Sequence, residues 1–368
     1  MRVAIVHDWL VTRAGAERVL ERILYHFPNA QVYTLLKQRN SNVISVPTKH
    51  PIKTSFVQYL PTVTDNYRLF AWLMPRAIEQ LELKTYDLII SSSWAFSHGI
   101  VKKKISCKHL AYVHTPMRWA WDMEMEYLKN HSFPTVLSKV IQRQIHNLRE
   151  WDKKASRRPN KILANSKFVQ RRIKKCWHED SSVVYPPVYI PKIKDFEAHG
   201  GFVSICRLVP YKKVDLIIRA FTHLPSKKLF IAGSGPELDY LKRIAPKNVA
   251  FLGYLSDDEK IKLMLGSKGL IQASKEDFGI SVVESQACGI PVLAFREGGA
   301  SETVIDIDRE KTGTGLLFNT ECPKELAKLI EKFSKMNFNP IDCKKNALQF
   351  SQEFFDKKFL AEVAELLN

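Results

Sequence analysis

The sequence predicts an α/β protein made of two doubly wound parallel sheets, and three observations support this. Short runs rich in Val and Ile alternate with longer amphipathic stretches, which is the pattern of βα units. The alternation pauses at Pro186 and Pro187 and then starts again. The chain has 368 residues, which is more than one hydrophobic core usually serves.

The two halves are predicted separately from their apolar periodicity. In the first half we expect strands at 2–7, 31–36, 87–92, 108–114 and 161–166, with helices at 15–27, 135–156 and 167–176. In the second half we expect strands at 202–206, 228–233, 249–253, 269–274 and 291–295, with helices near 213–224, 237–244, 257–266 and 280–288.

The domain boundary is expected in the segment 183–194, VVYPPVYIPKIK, which holds three prolines and has no helical period. We place the first domain at 1–190 and the second at 191–348. The stretch 341–367 is expected to be helical, and its end, about 349–368, is a candidate to pack back on the first domain.

Composition excludes several classes of protein. A hydrophobic fraction of 45% beside 26% charged residues is ordinary for a globular chain and excludes a disordered or fibrous one. The six cysteines form no C-x-x-C pair, so we expect free thiols rather than a zinc or redox site. No apolar run approaches the roughly 20 residues of a membrane span. We therefore expect a cytoplasmic protein, with peripheral binding to the inner face of the cytoplasmic membrane as the alternative.

The net charge of +18 calls for an anionic partner. Nucleic acid, anionic lipid headgroups and a phosphorylated substrate are the three candidates. Thirteen Lys and Arg residues fall between Lys139 and Lys175, so part of the excess is local. A solvated basic helix face and a membrane-docking face both remain open for this stretch.

Candidate binding residues are expected at strand ends, because ligands of parallel sheets bind there, at helix N-termini whose N–H groups suit anions. In KEDFGISVVES, Asp277, Phe278 and Gly279 can form a turn, leaving N–H groups of 279–281 for phosphate or sugar oxygens. Glu276 can accept from sugar hydroxyls, and Glu284 can chelate a ribose diol. Helix capping and a solvated Glu284 are the alternative.

Two cations follow the strand 202–206 in the segment RLVPYKK. Arg207 can grip a diphosphate with two parallel hydrogen bonds, and Lys212 supplies a mobile point charge. Close backbone approach is expected at two glycine turns, GSGPE (233–237) and Gly298-Gly299, although loop geometry alone would explain the latter pair. Tyr254 and Leu255 directly follow the strand 249–253 and could border a nucleobase.

In the first half, Gly15 begins a helix after the first strand's loop, where it could meet the diphosphate or serve only as a flexible helix entry. His114 ends the strand 108–114 and precedes TPMRWAWD, so a contact with a sugar is open for it beside a purely structural role. Asp306 and Asp308 have the spacing of a metal-binding pair, but we expect both to face solvent in a polar loop.

Several segments together resemble the retaining glycosyltransferases of family 4, and the resemblance covers nearly the whole chain. CRLVPYK, FIAGSGPE, FLGYLSDDE and EDFGISVVESQACGIPVLAFREGGASE occur in the family's order, and HDWLVTRAGAERVL resembles its N-terminal half. YVHTPMRWAWD is similar to bacterial O-antigen and capsule mannosyltransferases. Cys206, Lys213 and Ala14 stand where the family usually has glycine.

The resemblance implies a GT-B fold, with two Rossmann-like domains facing across a cleft. It implies that Arg207 and Lys212 bind the donor phosphates, that Glu284 binds the ribose and that Glu276 binds the transferred sugar. His114 is then expected near that sugar and Gly15 near the diphosphate, with Ile280 beside the phosphates. We assign catalytic roles to Glu276, His114, Arg207 and Lys212, and expect no cofactor and no metal.

The expected function is transfer of mannose from GDP-mannose onto a glycan or lipid-linked acceptor in cell-surface polysaccharide synthesis. A UDP-sugar donor is one alternative, and a nucleotide-sugar-binding or epimerase protein without transfer is another. A nucleic-acid-binding protein is the alternative from a different class, but no DNA- or RNA-reading motif supports it. Residues 66–83 combine apolar bulk with Arg68 and Arg76, so an anionic membrane surface is a candidate partner for the acceptor side.

Overall fold

The computed structural model describes residues 1–38, 43–44, 49–122, 135–191, 198–310 and 312–368. The chain divides into two compact units. The first comprises Met1–Tyr185 together with Asp356–Asn368, and the second comprises Pro186–Phe355. The last helix therefore begins in the second unit, and its residues from Asp356 onward belong to the first.

The first unit is built on a seven-stranded sheet in the order β3-β2-β1-β4-β5-β6-β7, and every neighbouring pair is parallel. The central strands are buried on both faces, which explains why apolar residues such as Leu88, Ile89 and Ile90 follow one another instead of alternating with polar ones. The strands are β1 (Val3–Leu10), β2 (Gln31–Lys37), β3 (Lys53–Thr54), β4 (Leu88–Ser93), β5 (Lys108–Val113), β6 (Lys161–Ala164) and β7 (Ser182–Val183).

Helices connect these strands in the first unit. The described α-helices are Gly15–His26, Val63–Asn66, Met74–Glu79, Arg118–Trp121, Thr135–Ala155 and Lys167–Trp177. Three short 3₁₀ helices lie at Phe56–Tyr59, Tyr67–Leu73 and Ser97–Gly99. The hydroxyl of Ser166 caps Lys167–Trp177 by accepting from the Val169 N–H, which explains why this helix starts directly after β6.

The second unit repeats the architecture with six parallel strands in the order β10-β9-β8-β11-β12-β13. The strands are β8 (Phe202–Ile205), β9 (Leu229–Ala232), β10 (Val249–Gly253), β11 (Gly269–Gln272), β12 (Val292–Phe295) and β13 (Gly315–Phe318). The α-helices are Val214–Phe221, Leu238–Ile244, Asp257–Leu265, Ile280–Ala287, Ala300–Thr303, Pro323–Ser334, Pro340–Leu348 and Gln352–Leu367, with a 3₁₀ helix at Pro210–Lys212. The predicted fold class of two doubly wound α/β sheets is confirmed.

The C-terminal segment differs from its prediction. It forms two helices, Pro340–Leu348 and Gln352–Leu367, rather than one. The chain between them is extended at Ser351, which bridges Val188, and the Val188 N–H donates to the Phe350 carbonyl at 2.9 Å. A helical continuation would use that carbonyl internally, so this tertiary backbone contact accounts for the break. The sequence periodicity did not contain this information.

Asp306 is also placed differently from its prediction. Its carboxylate is buried, accepts from the Leu317 N–H at 3.2 Å and forms an ion pair with the Arg296 guanidinium at 2.8 Å. Only Asp308 is exposed, where it pairs with Lys332. Asp306 therefore has a structural role. Its carboxylate pairs with Arg296 and bonds to Leu317 of β13, as a buried carboxylate must be paired. Among the described ranges, no group of three or more His, Cys, Asp or Glu side chains could hold a metal ion.

All six cysteines are free, and those at 107, 176, 288 and 343 are buried. Burial, followed by the nearby Glu284 carboxylate, raises the pKa of Cys288 to about 12. In the part of the chain that the structure describes, none of the helices combines the length and the hydropathy needed to cross a bilayer.

Candidate functional site

The carboxyl edge of the second sheet joins two of the predicted residues. Lys212, in the 3₁₀ helix after β8, donates its ammonium to the Glu276 carboxylate, which follows β11. The Ser274 hydroxyl donates to the same Glu276 oxygen at 2.6 Å. Because β8 and β11 are neighbours in the sheet, residues 64 positions apart in sequence meet here. Sequence reasoning missed Ser274, although its place after β11 could have indicated it.

The Lys212 and Glu276 side chains are mostly buried, each 15% exposed. Burial alone would lower the pKa of Lys212, but the attraction of the Glu276 carboxylate outweighs it, so the Lys212 pKa is raised. Lys212 is therefore a permanent cation. Its ammonium has three donor hydrogens, and the bond to Glu276 leaves donors for an anionic ligand.

The turn between Glu276 and the helix Ile280–Ala287 is held by two later glycines. Gly298 bridges Glu276, and the Gly299 N–H donates to the Glu276 carbonyl at 2.9 Å. A Cβ at Gly298 would lie 2.2 Å from that carbonyl oxygen, and one at Gly299 would lie 2.3 Å from the Phe278 carbonyl oxygen. The expected close approach at these glycines is thus to the 276–278 backbone, which they fix in place.

The rest of the predicted turn lies as follows. Gly279 has φ +87 and stands directly before the helix Ile280–Ala287, whose first N–H groups have no partner within that helix. Asp277, Ile280 and Glu284 are half-buried. The Phe278 ring is buried and packs edge-on against Phe350 at 5.6 Å, so only the backbone of Phe278 is left for a ligand. A partly positive helix end therefore follows the carboxylate that holds Lys212.

Arg207 is exposed, and no hydrogen bond or ion pair joins its guanidinium to a described residue. Its loop is fixed by the glycine turn after β9. A Cβ at Gly233 would lie 1.9 Å from the Cys206 carbonyl oxygen, and one at Gly235 would lie 2.2 Å from that of Leu208. The two glycines therefore pack against the residues on either side of Arg207. Tyr254 is exposed and Leu255 half-buried, after β10.

In the first unit, His114 lies at the end of β5 within a buried polar chain. Its Nε2 is 2.8 Å from the Ser92 Oγ, and Ser92 Oγ is 3.0 Å from the His7 Nδ1. The His7 Nε2 is 3.3 Å from Glu17 Oε1. Burial and then the charge of His7 lower the pKa of His114 to about 3, so this imidazole is neutral at physiological pH. Sequence reasoning missed His7, Ser92 and Glu17.

Gly15 is half-buried and opens the helix Gly15–His26. Directly before it, the Ala14 N–H donates to the Glu17 carboxylate at 2.7 Å. The structure thus places Gly15 beside the acidic end of the polar chain.

The segment after His114 has structural contacts. The Arg172 guanidinium donates to Thr115 Oγ1 and to the Pro116 carbonyl, both at 3.1 Å, and pairs with Asp122. The Trp121 indole donates to Asp152 at 2.7 Å. These bonds fix Thr115, Pro116, Trp121 and Asp122 to other residues of the first unit.

The comparisons with known proteins agree with this architecture. Residues 14–190 match the family described as "Glycosyltransferase Family 4", and residues 191–350 match "Glycosyl transferases group 1". A GDP-mannose-dependent alpha-(1-6)-phosphatidylinositol monomannoside mannosyltransferase of Mycolicibacterium smegmatis is 36% identical over 132 residues, which is 30% of this chain and 33% of that protein.

Two further similar proteins extend the comparison. A human GDP-Man:Man(3)GlcNAc(2)-PP-Dol alpha-1,2-mannosyltransferase is 27% identical over 243 residues, 56% of this chain and 49% of that protein. The chain thus spans a third to a half of the length of these curated relatives. The Anabaena protein HepE, solved with UDP and glucose, shares 19% identity and a TM-score of 0.67 over 99% of both chains, which shows a common fold.

Proposed function

We infer that this chain, which belongs to the family 4 glycosyltransferases of the GT-B fold, transfers a hexosyl group from a nucleotide-sugar donor that its second unit binds. The observation that carries this proposal is the Lys212–Glu276 pair, set beside the N-terminus of the helix Ile280–Ala287. A cation, a carboxylate and free helix N–H groups at one sheet edge suit a ligand that joins a diphosphate to a sugar. We assign the phosphates to Lys212 and Arg207, the sugar to Glu276 and the ribose to Glu284.

The proposed chemistry follows from where charge develops. Transfer breaks the bond between the anomeric carbon and the donor diphosphate, so negative charge grows on the leaving phosphate oxygen. Lys212 and the N–H groups at Gly279 and Ile280 stabilise that charge, because they are already oriented before the reaction. The acceptor hydroxyl forms the new bond to the anomeric carbon on the same face and gives its proton to a phosphate oxygen. The configuration of the product is measured by NMR of its anomeric proton. A product with inverted configuration at the anomeric carbon would contradict this route.

We propose that the donor is GDP-mannose. The Mycolicibacterium relative is a GDP-mannose-dependent mannosyltransferase, whereas HepE, which shares only the fold, was solved with UDP. The test is a thermal-shift panel of GDP, UDP, GDP-mannose and UDP-glucose. A ligand at 100 times its dissociation constant stabilises the protein by about 2.7 kcal/mol. We expect the guanosine compounds to raise the melting temperature, and a response to UDP compounds alone would contradict the choice of base.

A binding shift does not separate a transferase from a protein that only binds or epimerises nucleotide sugars. Release of GDP from GDP-mannose does, when it is measured with and without a glycan or polyprenyl-diphosphate-linked acceptor. We expect release to depend on the acceptor. Equal release in both conditions would favour an epimerase or hydrolase reaction over transfer.

We further propose a lipid-linked acceptor at an anionic membrane, because the first unit exposes large apolar side chains. Tyr59, Leu69 and Trp72 are exposed by 79%, 71% and 60%, and Arg76 is exposed after them. The short helices that carry these residues contact one another. Apolar and basic groups together suit the headgroup region of a bilayer. Phe70, Leu73 and Ile78 pack on the core instead, and the side chain of Arg68 lies outside the described part.

The basic segment 139–175 supports the membrane proposal less strongly. Several of its cations are paired within the first unit, as Arg158 is with Glu79 and Lys161 is with Glu362.

Sedimentation with vesicles containing anionic lipid, at low and high salt, tests the membrane proposal. The double variant Leu69→Ser, Trp72→Ser should bind less than the control Ile105→Ser, which removes an exposed apolar side chain elsewhere in this unit. Absence of sedimentation at either salt concentration would discard membrane binding.

A further inference from the structure

Gln272, the last residue of β11, carries a buried side-chain amide. It shares a face of the strand with Leu270, because side chains alternate along a strand. Leu270 belongs to an apolar cluster with Val282 of the helix Ile280–Ala287 and Ala294 of β12. Ala294 is also the residue that pairs with Gln272 in the neighbouring strand. The amide therefore lies among apolar neighbours, and only 7% of the residue is exposed.

The Gln272 amide has no hydrogen-bond partner among the described residues. Its Oε1 is enclosed by protein atoms and accepts no bond, and its Nε2 donates none. A buried polar group without a partner destabilises the folded protein, because it has lost its hydrogen bonds to water. Such groups are few in folded proteins, so this amide calls for an explanation.

A second buried glutamine, Gln286, shows how the same unit satisfies a structural amide. The Gln286 Nε2 donates to the Thr303 carbonyl at 2.9 Å and to the Val282 carbonyl at 3.3 Å. Its Oε1 accepts from the Asn346 amide at 2.6 Å. These bonds need no ligand. The fold thus supplies partners for one buried glutamine of this unit and leaves the other, Gln272, without any in the described part of the chain.

The Gln272 amide lies against the start of the helix Ile280–Ala287. Its Oε1 is 3.7 Å from the position that a Cβ would occupy on Gly279, the residue directly before the helix. The N–H groups of Gly279, Ile280 and Ser281 also donate to no residue within the described ranges. A helix end with free N–H groups is partly positive and binds anions. Two sets of unpartnered polar groups therefore lie side by side at the carboxyl edge of the second sheet.

The helix end also orients the amide of Gln272. The partly positive N-terminus attracts the amide oxygen, which carries partial negative charge. Oε1 is enclosed by protein atoms whereas Nε2 is not, so Nε2 is the end that a ligand reaches. An amide nitrogen donates, and the oxygens of an ionised phosphate only accept. The amide is therefore matched to a phosphate group seated on the same helix end.

We propose that Gln272 is a donor-binding residue whose Nε2 donates a hydrogen bond to a phosphate oxygen of the nucleotide sugar. The inference rests on the proposed function for the identity of the ligand. It adds a neutral contact to those that Lys212 and the helix N–H groups make with the diphosphate. The unpartnered amide destabilises the free protein, and a bound phosphate removes that effect by accepting from it.

The first test compares Gln272→Met with Gln286→Met by urea denaturation without a ligand. Methionine is an unbranched apolar side chain that fills the space and removes the amide. We expect the midpoint of unfolding to rise in Gln272→Met, because an unpartnered buried group is lost. It should fall in Gln286→Met, because the bonds to Thr303, Val282 and Asn346 are lost. A lower midpoint in Gln272→Met would mean that its amide is bonded in the free protein, and would overturn the proposal.

The second test measures the dissociation constants of GDP and UDP by calorimetry for wild type and both variants. We expect the Kd of the nucleotide that binds to rise about 10- to 100-fold in Gln272→Met, as for the loss of one hydrogen bond to a charged group. Gln286→Met should stay within about twofold of wild type. Equal Kd values in wild type and Gln272→Met would overturn the role of Gln272 alone. Failure of wild type to bind either nucleotide would instead contradict the proposed function.

GDP-mannose, titrated in the same way, shows which part of the donor meets the amide. We expect Gln272→Met to weaken the binding of GDP and GDP-mannose by the same factor, because both contain the diphosphate. A loss of affinity confined to GDP-mannose would place the amide at the sugar and would overturn the assignment to phosphate.

Discussion

Lys212 and Glu276 form an ion pair across two neighbouring strands of the second unit, and the Ser274 hydroxyl also donates to the Glu276 carboxylate. The Glu276 carboxylate keeps the Lys212 ammonium charged despite its burial. Both groups lie at the edge of the sheet where parallel sheets bind ligands. Lys212 and its neighbour Lys213 have different partners. Lys213 is directed elsewhere and pairs with the exposed Glu321.

Replacing Lys212 by alanine should abolish most transferase activity. Loss of one preorganised donor to a developing oxyanion typically costs about 10²–10³ in kcat. We expect kcat to fall within that range in a steady-state assay of acceptor-dependent GDP release. Lys213→Ala is the matched control, since it removes an equal charge one position away, and its activity should stay within about twofold of wild type. Equal losses in the two variants would show that only the overall charge matters.

Gly298→Ala should disorganise the turn that carries Glu276. The residue has φ +88, and the new methyl group would lie 2.2 Å from the Glu276 carbonyl oxygen. Gly200→Ala is the control, because Gly200 also has a positive φ (+67) but its nearest contact would be at 3.9 Å. Strain of the backbone alone costs about 1–2 kcal/mol. We expect Gly298→Ala to lose the donor-induced thermal shift and Gly200→Ala to retain it; retention by both would contradict the proposed role of the close contact.

Asp8→Asn should destabilise the first unit. The two carboxylate oxygens of Asp8 accept from four consecutive backbone N–H groups, Trp94 to Ser97, at 2.6 to 2.8 Å. An amide offers one oxygen, so two buried N–H groups lose their acceptor and meet another N–H instead. The free energy of unfolding should fall by about 2–4 kcal/mol in urea denaturation. Asp180→Asn, at a site where the side chain is 92% exposed, should change it by less than about 0.5 kcal/mol.

Acid should destabilise the first unit through its buried histidines. Burial, followed by nearby cations, holds the pKa of His109 well below 6.5, and burial and His7 lower that of His114 to about 3. Below pH 6.5 these two histidines are protonated in the unfolded chain but not in the folded one. Their effect on the free energy of unfolding is therefore absent above pH 6.5, and it lowers that free energy increasingly as the pH drops towards 3. Each histidine contributes a slope of up to about 1.4 kcal/mol per pH unit.

The measurement is the free energy of unfolding of wild type and His109→Gln at several pH values between 6.5 and 4.5. The variant can be less stable at every pH, but its slope should be smaller than that of wild type. Parallel curves would mean that His109 does not resist protonation in the folded protein.

The local pattern of the sequence determined the fold class, the number of sheets and most strands and long helices. Apolar runs and helical periods are short-range properties, so they can be read without knowing what packs where. The same holds for the position of Lys212, Glu276 and Gly279 at strand ends and helix starts. The brief edge strands Lys53–Thr54 and Ser182–Val183 carry too little pattern to be predicted in this way.

Only the tertiary structure decided which of these residues meet. It paired Lys212 with Glu276, buried Asp306 against Arg296, and joined His114 through Ser92 to His7 and Glu17. The partners lie up to 85 positions apart, and the order of strands in a sheet, not their order in the chain, sets such distances. A histidine or carboxylate looks the same in the sequence whether it faces solvent or a buried partner, because its chemistry depends on what the fold places beside it.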